Sequence, residues 1–478
     1  MQVASAVDLY HHLPYPLRVV AVSARGYYLR WWRYGPETER LVAEALERES
    51  WSPERWKAWQ EERLARVLHR ARHRVPYYRV YWDERARRGE RGAWQYLENW
   101  PVLKKEPLRA NPRAFVADDC DVRRMFHEHT SGTTGTPLSI YQSRIAVRQW
   151  YALFEARWRR WYGLSRHDRW AIMGSQLVTP FAQREPPFWV QNVAFHQLYL
   201  SCYHLSPEFI PAYVRAIRQH RPRYMWGYPS AMHTLAELAL GQGLELPSVQ
   251  IALSNGEPLY DFQRETLARA FQCPVRDTYG MSEMVAAASE CEHGRLHLWP
   301  EAGVVEVWSE EADEPVPAGQ IGRLICTGLI NADMPLIRYE LGDRGALASP
   351  SEQCTCERTL PLLASVEGRL DDVVLTPDGR RVGRLLAPTF KSGMPVREAQ
   401  IIQEDLSRVR VRYVPAPGST PRLGEEIVQR LRQRLGDEME ILTEPVDRIP
   451  RGPNGKFRGV ISYVTSEKTG NAGHGTAL

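Results

Sequence analysis

The stretch HTSGTTGTPLSI, residues 129–140, precedes a Trp-rich segment with helical periodicity. Residues 130–137 contain four Thr, one Ser, two Gly and one Pro, and no charged side chain. A glycine-rich loop that leads into a helix can surround a phosphate with backbone N–H groups, and hydroxyl groups add donors without bulk. The stretch does not follow the Walker pattern, because no Lys-Ser or Lys-Thr pair follows the second glycine. It predicts a phosphate-binding loop, with a plain flexible connection as the alternative.

Length and composition predict a globular protein of several domains. The chain has 478 residues, 43% of them hydrophobic, which is ample for a packed core. The formal net charge of +5 is a mild basic balance, which suits anionic small molecules and argues only weakly for nucleic acid. Seven cysteines, an odd number, favour a reducing compartment. No apolar run approaches about 18 residues, and no secretory signal is visible, so we expect a cytoplasmic protein.

Hydrophobic periodicity outward from this loop predicts an α/β fold. Residues 36–75 and 144–162 have helical patterns. From about residue 169, strand-like runs alternate with helical segments; the strand-like runs are RWAIMG, RYMWGY, VQIALSNG and VRDTYG. Such alternation predicts βαβ units and a mainly parallel sheet. The runs GVVEVW and GRLICTGL then predict a β-rich region without long helices.

A small α+β unit is predicted after Asp371. VREAQIIQED and RVRVRYV have the pattern of paired strands, LGEEIVQRLRQRLG that of a helix, and MEILTEPV that of a further strand. The polar tail SEKTGNAGHGTAL is expected to be disordered. The predicted domains are a helical N-terminal extension, a large-domain core, a C-terminal lid domain and a tail, over residues 1–110, 111–370, 371–465 and 466–478.

Six segments in order resemble the motifs of the adenylate-forming superfamily, which includes acyl-CoA synthetases, luciferases and peptide-synthetase adenylation domains. They are TSGTTGTP, SNGEPL, DTYGMSE, IRYELGD, VEGRLDD and PRGPNGKFR, which begin at residues 130, 254, 277, 337, 366 and 450. HRVPYYRVYWDE, MPLIRYELGD and CTCER resemble in particular the phenylacetate–CoA ligase branch and its relatives in capsular-polysaccharide biosynthesis. The resemblance implies a large α/β domain with a β-rich subdomain and a small mobile C-terminal domain.

The same resemblance implies ATP- and Mg²⁺-dependent activation of a carboxylic acid as an acyl adenylate, with pyrophosphate release. It assigns the leaving phosphates to Thr130, Ser131, Gly132, Thr133, Thr134 and Gly135. It assigns the nucleotide to Gly256, Glu257, Asp277, Tyr279, Gly280, Asp343 and Arg369. Tyr279 would lie against the adenine, and Asp343 would accept hydrogen bonds from both ribose hydroxyls. Glu283 would help to bind Mg²⁺, and Lys456 would place its ammonium on the α-phosphate and the carboxylate.

Each of these residues also has a structural interpretation. Taken alone, Glu283 could cap a helix, Asp343 could be a turn residue, and Lys456 could be a solvated hairpin charge. Gly368, Arg369 and Asp371 resemble the hinge of the superfamily, about which the small domain swings after adenylation; an ordinary linker is the alternative.

The sequence leaves the acceptor and the acid open. After the hinge, residues 373–390 lack the hydrophobic, Asn-containing loop that is usual in CoA ligases of this branch. The acceptor could therefore be CoA, a carrier-protein thiol, or an amine or hydroxyl group on a sugar. Residues 174–190 and 227–234 are expected to line the acid pocket, and their aromatic content favours an aryl or medium-length acid. The rival functions are nucleotidyl transfer, which leaves AMP on the product, and a non-catalytic nucleotide-binding scaffold in surface-polysaccharide assembly.

Cysteine and histidine spacing points to a structural zinc site. Two cysteines one residue apart, with a distant C-x₅-H pair, can supply four tetrahedral ligands, and zinc-containing relatives of the branch support this assignment. The predicted ligands are Cys291, His297, Cys354 and Cys356. Four protein ligands leave no open position, so the site would be structural. Buried or incidental thiols are the alternative.

The N-terminal residues 17–33 have the pattern of an interfacial helix. One side of a helical wheel carries Val20, Ala21, Ala24, Tyr28, Trp31 and Trp32. The flanks and back carry Arg18, Arg25, Arg30 and Arg33. An apolar aromatic face with a basic opposite face is the pattern of a helix in peripheral contact with a membrane. The alternative is a helix that docks on its own core.

Overall fold

The computed structural model describes residues 6–464, apart from several gaps. The gaps are residues 91, 130–137, 175, 181, 370–373, 379–380, 383–384, 386–388, 390–393, 417 and 453–456. The chain divides into two compact units. The large unit comprises Met1–Glu257 and Thr266–Val366, and the small unit comprises Pro258–Glu265 and Glu367–Leu478. The disordered tail predicted for residues 466–478 lies outside the described residues and stays a prediction.

Helices dominate the first part of the chain. They are α1 (Ala6–His11), α2 (Tyr15–Arg33), α3 (Thr38–Glu47), α4 (Pro53–Arg74), α5 (Pro76–Arg87), α6 (Lys105–Ala110) and α7 (Arg144–Trp158). Helix α4 begins with an N-cap: the Ser52 hydroxyl accepts a hydrogen bond from the Arg55 N–H, and Pro53 stands at the first helical position. Ser143 caps α7 in the same way, through the Ala146 N–H. No helix in the described residues is both long enough and apolar enough to span a membrane.

A six-stranded, mainly parallel sheet lies in the large unit, as the sequence predicts. Its strands are β3 (Trp170–Gly174), β4 (Trp189–Asn192), β5 (Gln197–Ser201), β6 (Tyr224–Gly227), β7 (Ile251–Ser254) and β8 (Val275–Arg276). Their order is β4-β5-β3-β6-β7-β8, and only β4 runs antiparallel to its neighbour. Every residue of β3 and β7 is buried, as expected of parallel strands covered on both faces. The helices α8 (Ile210–His220), α9 (Pro229–Gly241) and α10 (Asp261–Phe271) stand between the later strands.

A seven-stranded sheet forms the β-rich part. Its strands are β9 (Thr278–Gly280), β10 (Ala287–Glu290), β11 (Leu296–Leu298), β12 (Gly303–Trp308), β13 (Gly322–Gly328), β14 (Tyr339–Leu347) and β15 (Leu362–Arg369). Their order is β12-β13-β14-β15-β11-β10-β9. The prediction that VRDTYG is one strand was wrong, because β8 and β9 belong to different sheets. Asp277 separates them: its N–H donates to the Glu290 carboxylate, and its own carboxylate accepts from the Thr278 N–H.

The small unit contains the predicted α+β arrangement. Its strands are β16 (Val374–Leu375), β17 (Arg381–Val382), β18 (Val396–Asp405), β19 (Arg408–Pro415), β20 (Glu440–Pro445) and β21 (Val460–Ser462), and its helix is α11 (Leu423–Leu435). Strands β18 and β19 pair antiparallel, and β20 and β21 add in parallel on either side. Ile401, Val411, Ile427 and Leu431 are fully buried in its core.

Helix α2 docks on the large unit, as the alternative interpretation of residues 17–33 expects, and its buried side differs from the predicted apolar face. Its buried residues are Ser23, Gly26, Leu29 and Trp32. A Cβ at Gly26 would lie 2.2 Å from Oδ1 of Asn192, so a larger residue here would require this side chain to shift. The placement of Trp32 on the free apolar face was therefore wrong, since this ring is only 5% exposed.

Candidate functional site

The predicted phosphate-binding residues Thr130, Ser131, Gly132, Thr133, Thr134 and Gly135 lie outside the described residues. The strands that flank them are described, and they pair antiparallel as β1 (Phe126–His129) and β2 (Ser139–Gln142), with His129 opposite Ser139. Opposed residues in such a ladder have Cα atoms about 5 Å apart. The residues that flank 130–137 therefore lie close together, and phosphate binding by this segment stays a prediction.

Tyr279 and Asp343 meet across the seven-stranded sheet. The Tyr279 hydroxyl donates a hydrogen bond of 2.8 Å to Oδ2 of Asp343. Burial, and then the Asp343 charge, hold the pKa of Tyr279 well above its usual value, so the phenol keeps the proton that it donates. Strand β9 carries Tyr279 and stands four positions from β14, which carries Asp343. A flat sheet would separate these strands by about 19 Å, so the sheet must curl to join them.

Glu283 lies beside a buried tyrosine, Tyr339. The Tyr339 hydroxyl is 3.4 Å from Oε1 of Glu283 and donates to it. Burial and the Glu283 carboxylate both raise the pKa of Tyr339, which therefore remains a neutral donor. At the end of β2, the Gln142 side-chain amide donates to the Ser282 carbonyl at 2.9 Å. This bond joins the strand that follows residues 130–137 to the segment that carries Glu283.

Asp277 fastens the segment after β7 to the segment around Tyr279. The Ser254 hydroxyl donates to Oδ1 of Asp277 at 2.5 Å, and Ser254 is the last residue of β7. Ligands of open α/β sheets bind at the carboxyl ends of the strands, which is where this pair stands. Gly256 follows with φ +73°, a left-handed conformation that favours glycine. The Glu257 carboxylate accepts from the Ser230 N–H at 3.2 Å, within the first turn of α9.

The structure thus gathers Asp277, Tyr279, Glu283 and Asp343, and Gly256 and Glu257 follow Ser254, the partner of Asp277. Gly280 ends β9, and among the described residues a Cβ there would meet the Ala287 Cβ at 3.8 Å. Arg369 is the last residue of β15, and Lys456 lies outside the described residues. Sequence reasoning did not single out Tyr339 and Ser254, although both stand within the motifs. Their hydroxyl groups could have identified them, because a hydroxyl group within a motif can donate to a site carboxylate. In the structure Tyr339 donates to Glu283, and Ser254 donates to Asp277.

The four predicted zinc ligands come together at one end of the seven-stranded sheet. Cys291 follows β10, His297 lies on β11, and both cysteines of the C-x-C pair stand in the connection from β14 to β15. One ligand atom from each of these residues lies within 4.8 Å of the other three. Cys291 and His297 are buried, while Cys354 and Cys356 are half-buried. The four side chains therefore form one compact cluster, while zinc binding stays a prediction beside the alternative of buried or incidental thiols.

The distances fit a tetrahedral zinc ion. The Cys291 and Cys354 sulfurs are 3.6 Å apart, and the Cys356 sulfur is 3.3 Å from Nε2 of His297. Bond lengths of about 2.3 Å to sulfur and about 2.0 Å to nitrogen place ligand atoms about 3.5–3.8 Å apart around zinc. Nδ1 of His297 lies 3.3 Å from the Leu360 carbonyl, which leaves Nε2 for the metal. Burial lowers the pKa of His297 to about 4, so the ring is neutral, as a ligand must be.

Two family models and several curated proteins are similar to this chain. Residues 124–332 match the family model described as AMP-binding enzyme, and residues 374–463 match the CapK C-terminal domain. Phenylacetate-coenzyme A ligase of Thermus thermophilus is 27% identical over 465 residues, which cover 90% of this chain and 99% of that protein. Protein CapK of Staphylococcus aureus is 24% identical over 372 residues, which cover 77% of this chain and 80% of that protein.

Solved structures show a likeness of fold. A structure of 2-hydroxyisobutyryl-CoA ligase in the postadenylation state superposes with a TM-score of 0.67 and 21% identity. The match covers 88% of this chain and 92% of that one. At this level of identity the likeness establishes the architecture, and it confirms the predicted α/β class.

Proposed function

We propose, from the premise that the chain belongs to the adenylate-forming superfamily of ligases, that it converts a carboxylic acid to an acyl adenylate and releases pyrophosphate. The grouping of Tyr279, Glu283 and Asp343 beside the strand that follows residues 130–137 carries this proposal. Two carboxylates and an aromatic ring match the needs of a magnesium nucleotide. These needs are acceptors for ribose hydroxyls, an oxygen ligand for Mg²⁺ and an apolar surface for the base.

In the first half-reaction the substrate carboxylate attacks the α-phosphorus of ATP. A new acyl oxygen–phosphorus bond forms, the bond to the β-phosphate breaks, and pyrophosphate leaves with the electron pair. Residues 130–135 would hold the leaving phosphates, and Mg²⁺ bound with the help of Glu283 would neutralise their charge. Lys456 would neutralise the charge that is shared between the carboxylate and the α-phosphate.

For the second half-reaction we propose transfer of the acyl group to a thiol, with CoA as the first candidate. The naming of the Thermus thermophilus relative as a phenylacetate-coenzyme A ligase, over nearly its full length, supports this choice. A carrier-protein thiol and a sugar-linked amine or hydroxyl are the alternatives, because residues 373–390 lack the usual loop. The hinge would comprise Gly368, Arg369 and Asp371. The small unit would rotate about it after the first half-reaction, so that the second can follow.

ATP–pyrophosphate exchange across a panel of aryl and medium-length aliphatic acids tests the proposal. Exchange that depends on one class of acid, and that is lost in Asp343→Ala, supports it. ATP binding without exchange for every acid would support the nucleotide-binding scaffold instead. The mass of the final product separates acyl transfer from nucleotidyl transfer, because the latter leaves AMP on the product.

We also propose a cytoplasmic location. The odd number of cysteines and their lack of pairing among the described residues fit this proposal.

We also propose that Cys291, His297, Cys354 and Cys356 hold one structural zinc ion. Four protein ligands leave no position for a substrate, so this zinc would supply folding energy and no chemistry. It would tie the β10–β11 hairpin to the connection between β14 and β15. Strand β14 carries Asp343, so the metal would help to fix the strands that frame the nucleotide site.

A further inference from the structure

Helix α2 carries an apolar and aromatic face that is largely exposed in the described chain. Leu17, Val20, Tyr28 and Trp31 are 49%, 63%, 52% and 49% exposed. Their spacing, with exposed Ala24 between them, places them along one side of the helix. Single exposed apolar residues are ordinary on a protein surface, whereas a contiguous stripe marks an interaction site.

The opposite face of α2 is fixed against the large unit, so this stripe cannot turn inward. Leu29 and Trp32 are buried, and Gly26 lies in close contact with Asn192 of β4. The Ser23 hydroxyl accepts a hydrogen bond of 3.1 Å from the Val193 N–H. Helix α2 thus has two separate apolar sides, one used for folding and one left free.

The charge around the stripe identifies its occupant. Between Asp8 and Glu37 the chain has no acidic residue and four arginines; Arg18 donates to Leu13 and Gln183, and Arg33 stacks on Tyr151. Arg25 and Arg30 are exposed, and at the start of α7 the Arg144 guanidinium stacks on the Trp31 ring at 3.5 Å. Tyrosine and tryptophan are the side chains that favour the boundary between lipid headgroups and acyl chains. We propose that this face of α2 docks on the surface of an anionic lipid bilayer.

This docking is a peripheral interaction that supplements the catalytic proposal and does not depend on it. The apolar side chains enter the boundary between headgroups and acyl chains, and the exposed Arg25 and Arg30 contact the anionic headgroups. None of the residues of the stripe belongs to the nucleotide site. Binding to lipid and ATP–pyrophosphate exchange can therefore fail independently of each other.

The test uses the full-length chain and co-sedimentation with two kinds of vesicle. One contains phosphatidylcholine mixed with phosphatidylglycerol, and the other is pure phosphatidylcholine. The wild type should bind the anionic vesicles and bind the neutral ones at least about tenfold more weakly. The variant with Leu17→Ser, Val20→Ser and Tyr28→Ser should lose at least about tenfold in partitioning. The matched control, Val80→Ser with Tyr96→Ser, removes exposed apolar side chains on other elements and should bind like the wild type.

A charge variant keeps the proposal falsifiable if the triple variant misfolds. Arg25→Gln with Arg30→Gln should weaken binding by about fivefold per arginine, and salt should weaken the wild type similarly. All variants should keep the circular dichroism spectrum and the exchange rate of the wild type. Absence of wild-type binding to anionic vesicles, or undiminished binding by the triple variant, would overturn the proposal. A concentration-dependent dimer that the triple variant loses would overturn it too, because the face would then be an interface between two copies.

Discussion

The phenolic oxygen of Tyr279 lies 2.8 Å from Oδ2 of Asp343, although their strands stand four positions apart in one sheet. The hydrogen bond fixes one oxygen of the proposed ribose-binding carboxylate and leaves further lone pairs for ribose hydroxyls. The superfamily resemblance implies that Tyr279 lies against the adenine and that Asp343 binds the ribose. The hydrogen bond joins these two side chains. The two predicted contacts would act as one unit.

Tyr279→Phe should raise the KM for ATP by roughly fivefold and leave kcat nearly unchanged. The change removes one hydrogen bond, worth about 1 kcal/mol, that acts equally in the ground state and the transition state. Asp343→Ala should cost more, about 2–3 kcal/mol in kcat/KM, because both ribose contacts are lost. Tyr96→Phe, at an exposed tyrosine, is the matched control. Unchanged ATP dependence in both site variants would remove Asp343 from the nucleotide site.

Lys456→Ala should depress ATP–pyrophosphate exchange by about 10²–10³-fold with little change in ATP affinity. The ammonium would act on charge that develops during adenylation, and loss of one such contact commonly costs about 3–4 kcal/mol. Exchange kinetics at saturating ATP measure the effect. Lys57→Ala, at a well-exposed lysine of α4, controls for loss of a positive charge. If Lys456→Ala exchanges at the wild-type rate, the assignment of this lysine is wrong.

Protein purified without added metal should contain about one zinc per chain by elemental analysis. Cys354→Ser should lose the metal and lower the thermal midpoint, because the ion ties two connections of one sheet together. Cys120→Ser removes a half-buried thiol outside the cluster and should keep both zinc and stability. A metal-free wild type of undiminished stability would contradict the zinc proposal.

Arg157→Met should lower the free energy of unfolding by about 3–5 kcal/mol. The guanidinium is fully buried and donates to both carboxylate oxygens of Glu301, at 2.8 and 2.9 Å, and to Glu49 at 3.3 Å. Its removal leaves two largely buried carboxylates without their principal counter-charge. Arg40→Met breaks an exposed pair with Glu44 and should cost at most about 0.5 kcal/mol. Urea titration of both variants measures the difference, and equal midpoints would contradict the role of this network.

The sequence by itself determined the fold class and the order of its parts. Hydrophobic residues recur with different periods in strands and in helices. The alternation of strands and helices from Trp170 to Ser254 can therefore be predicted from the sequence. The C-terminal strands and helix were visible for the same reason. The spacing of Cys291, His297, Cys354 and Cys356 identified a set that the structure brings together. Each of these signals is local, or is a set of local motifs in a fixed order.

Only the tertiary structure decided which residues meet across a sheet and which face of α2 is free. Periodicity fixes which side chains share a face, but it carries no information on sheet curvature, so the pairing of Tyr279 with Asp343 could not be predicted. Periodicity also placed Trp31 and Trp32 on one face, although Trp32 is buried in the core and Trp31 is exposed. Small residues, Ser23 and Gly26, let one side of the helix approach β4 closely, and this steric fit outweighed the more apolar side.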